Sequence, residues 1–132
     1  MKILVNLCLL VTLAIVGCKN DKPVEQSTTI TTQLQYGKYS GILPCNDCKG
    51  IKENLFLHEN GIYNMEKTFL GKGDEKPFVE SGSFTVSNGI LSLADSEELV
   101  KYLINGSRLK QLDGNGKEYT GDLAEKYILN KQ

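Results

Sequence analysis

From Tyr36 onward the chain is written in short apolar segments of period two, separated by turns that contain glycine. Alternation of this kind puts one side of a strand against a core and the other toward water. Strands are expected at about 36–42, 51–58, 62–70, 77–86, 90–94, 99–104, 107–112 and 124–130. The turn signals between them are Glu59-Asn60-Gly61, Asn88-Gly89, Asn105-Gly106 and Asp113-Gly114-Asn115-Gly116. Asn, Asp and Gly tolerate the positive φ that tight hairpins need, so most neighbouring strands are expected to be joined by hairpins. In the second strand Ile51, Glu53, Leu55 and Leu57 share one side, and Lys52, Asn54, Phe56 and His58 the other. No long helical stripe follows residue 18. Residues 96–100 suffice for one helical turn, and 123–127 read equally as helix or strand.

Eight short sequential strands leave few ways to hide two sheet edges. Closure removes the unpaired edge groups altogether, so the expected fold is all-β: a small antiparallel meander β-barrel. With about eight strands its interior is filled by side chains or holds one small ligand. The six tyrosines and four phenylalanines spread through the strands suit such packing and form no stacking platform.

The first 35 residues have a different character. Lys2 supplies a positive start, residues 3–16 are apolar apart from Asn6 and Thr12, and Gly17-Cys18 follows. The run is short for a membrane span and has the flanks of a signal peptide. A glycine before a cysteine at its end resembles the bacterial lipobox, in which the cysteine is lipidated and becomes the first mature residue. Residues 1–17 are therefore read as a lipoprotein signal peptide and Cys18 as the lipidation site. Several acyl chains on one residue, palmitate among them, hold a protein stably to a membrane. No aspartate follows Cys18, which favours the outer membrane over the inner. Residues 18–35 are then the lipidated cysteine and a polar tether without a buried face, and 36–132 form the barrel domain.

The formal net charge is −1, or −2 once Lys2 leaves with the leader. So mild a balance argues against a nucleic-acid partner. Of four cysteines, Cys8 goes with the leader and Cys18 carries lipid, which leaves Cys45 and Cys48. They stand in Pro44-Cys45-Asn46-Asp47-Cys48-Lys49-Gly50, where one tight turn brings both sulfurs within reach of each other or of one soft metal ion. Three readings stand side by side. In an oxidising exported compartment the pair forms a local disulfide. As thiolates, Cys45 and Cys48 suit Cu(I). A small-loop disulfide can also report redox state.

Other chemistries find little support. Disulfide oxidoreductases activate the attacking sulfur at a helix N-terminus, whereas this pair lies between strands, and Asp47 near the sulfurs would oppose a thiolate. Lys49 stands where covalent haem attachment needs histidine, and zinc lacks a second ligand pair. His58, beside a hairpin turn, reads as an exposed histidine and Met65 as core filler, although both are soft ligands. The charged loop of Lys72, Gly73, Asp74, Glu75 and Lys76 reads as solvated. No Ser-His-Asp set, paired-carboxylate motif or phosphate-binding loop appears, so no enzyme is expected.

The run Tyr39-Ser40-Gly41-Ile42-Leu43-Pro44-Cys45-Asn46-Asp47-Cys48-Lys49-Gly50-Ile51, followed by Leu55-Phe56-Leu57 and Asn60-Gly61-Ile62-Tyr63, resembles the N-terminal domain of the NlpE family of copper-resistance lipoproteins. Phe69-Leu70-Gly71, Phe78-Val79-Glu80-Ser81-Gly82-Ser83-Phe84 and Leu109-Lys110-Gln111-Leu112-Asp113-Gly114-Asn115-Gly116 continue the likeness across about 36–130. The resemblance implies a lipocalin-like barrel on a lipid-anchored envelope protein, linked to copper tolerance and, in some members, to surface sensing through the Cpx envelope stress response and its sensor protein. Longer members carry a second, OB-like domain with its own cysteines. This sequence stops at residue 132, so a role that depends on that domain is not carried over. Two other readings remain beside it: a carrier of a small apolar ligand, and a purely structural envelope protein with a local disulfide.

Overall fold

A computed structural model describes residues 33–94 and 99–132. The expected signal peptide, Cys18, most of the expected tether and residues 96–98 of the expected helical turn lie outside them. Eight strands run in chain order around a closed antiparallel barrel. They are β1 (Gly37–Leu43), β2 (Gly50–Leu57), β3 (Ile62–Leu70), β4 (Phe78–Ser87), β5 (Ile90–Leu93), β6 (Val100–Asn105), β7 (Arg108–Gln111) and β8 (Ile128–Lys131). Each pairs with its sequence neighbour, and β8 returns to β1 through Tyr39 opposite Lys131 and Ser40 opposite Asn130. The expected meander barrel is the observed fold.

The turn chemistry explains the registers. Asn88 and Gly89 both take positive φ, 50° and 75°, and form the two-residue hairpin between β4 and β5. Between β2 and β3 the His58 amide donates to the Ile62 carbonyl at 2.9 Å, and Gly61 adopts φ 80°. After β7 the Asp113 carboxylate accepts from the Asn115 and Lys117 amides at 2.8 and 2.9 Å, tying the Asp-Gly-Asn-Gly segment into a compact loop.

The last strand is shorter than the pattern predicts. Residues 124–127 do not belong to it. A 3-10 turn at Gly121–Leu123 precedes them, Ala124 is right-handed helical, and Leu123 is exposed. Tyr127 stacks on Tyr119 with ring centroids 3.6 Å apart, and its carbonyl accepts from the Gln111 amide at 2.8 Å. The aromatic stack and the turn hold this segment as a strap, so pairing with β1 begins only beyond it. At the other end, Leu34 packs against the core and the Gln35 carbonyl accepts from the Tyr39 hydroxyl at 2.6 Å. The packed chain therefore begins just before the expected boundary at 36.

Alternation fills the interior with Tyr39, Leu55, Leu57, Tyr63, Met65, Leu91, Leu93, Ile104, Leu109 and Leu129. The tightest point is the seam. A Cβ on Gly41 would lie 2.3 Å from the Ile128 carbonyl oxygen, closer than atoms can approach, so β1 can lie beside β8 only with glycine there. Gly41→Ala is expected to lower unfolding stability by about 1–3 kcal/mol, the usual cost of overpacking, read as a lower midpoint in urea denaturation. An unchanged midpoint would mean that the seam has room to move.

Candidate functional site

Pro44 follows the last residue of β1, and the five residues after it bend back to Gly50 at the start of β2. Cys45 and Cys48 are joined in a disulfide, with Cα atoms 5.3 Å apart. Both are half-buried, whereas Asn46 and Asp47 between them are exposed. The turn is held from below. The register that sets Gly50 opposite Leu70 also lets the Lys49 amide donate to the Leu70 carbonyl at 2.9 Å. It is held sideways by an ion pair between Asp47 and Lys72 of the β3–β4 loop. The hydrogen bond and charge of Lys72 hold the Asp47 carboxyl below the usual carboxylate range. Both partners are exposed, so the pair orients the turn more than it stabilises the fold.

The carboxylate also sits beside the sulfurs. Asp47 Oδ1 lies 3.5 Å from Cys45 Sγ, while Cys48 Sγ lies 3.4 Å from the Gly50 carbonyl oxygen. Cys45, Asp47 and Cys48 together present ligand atoms within 4.8 Å of one another. An open groove of about 590 Å³ runs past Cys45, walled by Pro44, Lys49, Arg108, Lys126 and Asn130. A reagent in solution can thus approach the disulfide from the Cys45 side.

Among the described residues, the soft ligands His58 and Met65 do not join the cysteines. His58 is exposed at the far end of β2, its Nε2 2.7 Å from Asn64 Oδ1. Met65 is fully buried in the core. Lys72, expected to be merely solvated, is the residue that reaches the cysteine turn. Counting outward from the Gly61 hairpin would have found it, because the β2–β3 register carries residues 47–49 past the start of the next loop.

A second group of polar residues lies just beneath the turn. Glu53 is only 2 % exposed and accepts a hydrogen bond from the buried Tyr102 hydroxyl. Burial pushes its carboxyl above the ordinary glutamate value; the Tyr102 bond and Lys67 pull against this, and Glu80 adds to it. Tyr102 is driven well up by its own burial and by Glu53. Glu53 and Glu80 also line one cavity, so the barrel brings together two carboxylates that no local motif announces.

Fold and site define a class: a small closed β-barrel that carries a Cys-x-x-Cys disulfide on its first turn. Residues 39–122 match the NlpE N-terminal domain. The chain belongs to that family of lipoproteins. It is 32% identical over 109 residues to Lipoprotein NlpE of Escherichia coli K12, a match covering 77% of this chain and 45% of that protein. It therefore spans less than half the length of that curated relative. Among solved structures, a candidate lipoprotein from Shewanella oneidensis is similar at 35% identity with a TM-score of 0.68, over 80% of this chain and 96% of that one. The Cpx pathway activator NlpE from Escherichia coli is similar at 32% identity and a TM-score of 0.60, over 67% and 46%.

The position of Asp47 has a measurable consequence once the disulfide is reduced. A negative charge beside a thiol disfavours the thiolate. Asp47→Asn removes that charge and also frees Lys72, so both changes act in one direction. The pH midpoint for alkylation of the reduced cysteines by iodoacetamide is expected to move down. An unchanged midpoint would place the carboxylate away from the sulfurs in the reduced protein.

Proposed function

We propose that this protein is a non-enzymatic lipoprotein of the cell envelope, held to the outer membrane through acylated Cys18, whose Cys45–Cys48 turn exchanges between disulfide and dithiol and takes up Cu(I) as the dithiol. The observation that carries this reading is the place of the disulfide. It is half-exposed, beside a groove, on a turn that the barrel supports through the Lys49–Leu70 backbone hydrogen bond, independent of the sulfurs.

The energetics favour a reactive role. A disulfide closing so short a loop contributes only about 2 kcal/mol by the chain-entropy relation. Opening it leaves the eight strands and their core in place. Reduction by an external dithiol passes two electrons to the sulfur pair and, with two protons, gives two thiols, the reductant becoming a disulfide. Two thiolates three positions apart on one turn are a soft donor set that suits Cu(I). The Asp47 carboxylate is a hard donor, and its part there is to supply charge beside the sulfurs.

The Escherichia coli relative is described as a Cpx pathway activator. For this chain, signalling to an envelope stress sensor is part of the proposal, with the cysteine turn as the element whose state would be read. Carriage of an apolar molecule has less support, because side chains occupy the apolar part of the interior.

Anaerobic titration of the reduced protein with Cu(I), against a competing chromophoric chelator, tests the copper reading. One Cu(I) per chain is expected, and the double substitution Cys45→Ser, Cys48→Ser should abolish it. Binding by the double variant that matches the unsubstituted protein would remove copper from the proposal and leave the disulfide as a structural element.

A further inference from the structure

One inward layer of the barrel is polar where the layers beneath it are not. Glu53 on β2 stands directly opposite Lys67 on β3. Glu80 on β4 faces Met65, one inward position along β3 from Lys67. Tyr102 on β6 stands opposite Gln111 on β7. Toward the far end, the inward positions of β2, β3, β6 and β7 are Leu55, Leu57, Tyr63, Ile104 and Leu109, all buried. Leucine or valine would continue that packing without the cost of desolvating charge. The layer therefore calls for an explanation other than stability.

The interior is not filled at this level. A cavity of about 280 Å³ is lined by Glu53, Lys67, Glu80 and Gln111 on its polar side, and by apolar groups that include Ile51, Phe69 and Val100. Two of its lining residues, Glu80 and Gln111, each bury a side-chain oxygen, Oε1, that has no hydrogen-bond partner. Leaving such a group unmatched costs about 1–3 kcal/mol. Both bare atoms are acceptors. What would satisfy them is a hydrogen-bond donor, and the two carboxylates against one ammonium favour a donor that carries positive charge.

We propose that this chamber binds a small organic cation, a primary ammonium or guanidinium group on a short apolar body. Its donors would meet Glu80 and Gln111, and its body would lie against Ile51, Phe69 and Val100. The volume sits just under the roughly 300–1,000 Å³ span of ordinary small-molecule sites, so the ligand has few heavy atoms. An anion would meet Glu53 and Glu80, and a wholly apolar molecule would leave the polar layer unanswered. The site does not involve the sulfurs, and binding is expected with the disulfide intact.

Hexylammonium, 1-hexanol and hexanoate share one apolar body and differ in the head group. Titrated into the oxidised protein and followed by amide chemical shifts, hexylammonium should give saturable changes at Glu53, Lys67, Glu80 and Gln111. Its affinity should exceed that of the other two by about tenfold or more, the scale of one charge-assisted hydrogen bond. Glu80→Gln should erase most of that advantage. If that variant does not fold, Gln111→Leu tests the second acceptor, with a severalfold loss expected. No saturable change with hexylammonium, equal binding of the alcohol or the carboxylate, or full affinity in the folded variants would overturn the proposal and leave the layer as a water-filled feature of the barrel.

Discussion

Everything in this molecule hangs on the return of β8 to β1. Only two residue pairs make the ladder, Tyr39 with Lys131 and Ser40 with Asn130, and the next residue along β1 must be glycine because the Ile128 carbonyl occupies the space of a Cβ. A meander of eight short strands left open would present two unpaired edges. Closed, it buries three tyrosines and a continuous set of leucines with no edge exposed. The Gln132 amide adds a bond across the join, donating to the Lys38 carbonyl at 2.9 Å, while the Lys131 amide holds β8 on its other side by donating to the Ser107 carbonyl at 2.8 Å.

Closure also separates what holds the protein together from what gives it chemistry. The cysteine turn and the polar layer lie at the same end of the barrel, and Leu43 and Pro44 belong to both: they lead into the turn and line the chamber. Apart from Tyr102, whose ring packs in the core, neither feature belongs to the core cluster. The disulfide spans too few residues to stabilise the fold much, and a buried carboxylate such as Glu53 costs the folded state at neutral pH. Because the folded protein holds that carboxyl above its ordinary value, the associated stability is fully present below the ordinary value and is lost as pH rises through the raised one. Features that the scaffold tolerates without relying on them are where function is to be sought.

Most of the fold was legible in the sequence because strand and turn signals are local. Leu55 and Leu57 announce an inward side through their spacing, and Asn88-Gly89 announces a two-residue hairpin through the φ values these residues accept. The start of β8 was not legible, since Leu123 and Tyr127 keep an alternating pattern while a 3-10 turn takes Leu123 and a stacking partner, Tyr119, fixes Tyr127 elsewhere. The cysteine pair was legible as a site, and its disulfide was one of three open readings. The partnership of Asp47 with Lys72 depends on counting a register across a hairpin. That of Glu53 with Tyr102 is harder still: the two residues meet across the interior only because the sheet curls shut, and each alone looks like an ordinary strand residue.

The proposed function requires that the barrel be rigid on its own and the cysteine turn free to change state upon it. Amide hydrogen exchange of the oxidised and the reduced protein tests this most directly. Equal protection is expected throughout β1, β2 and the β1–β8 seam, with faster exchange after reduction confined to residues 45–49. Loss of protection across the seam or in the core strands on reduction would contradict it, and would make the disulfide a structural staple of the fold.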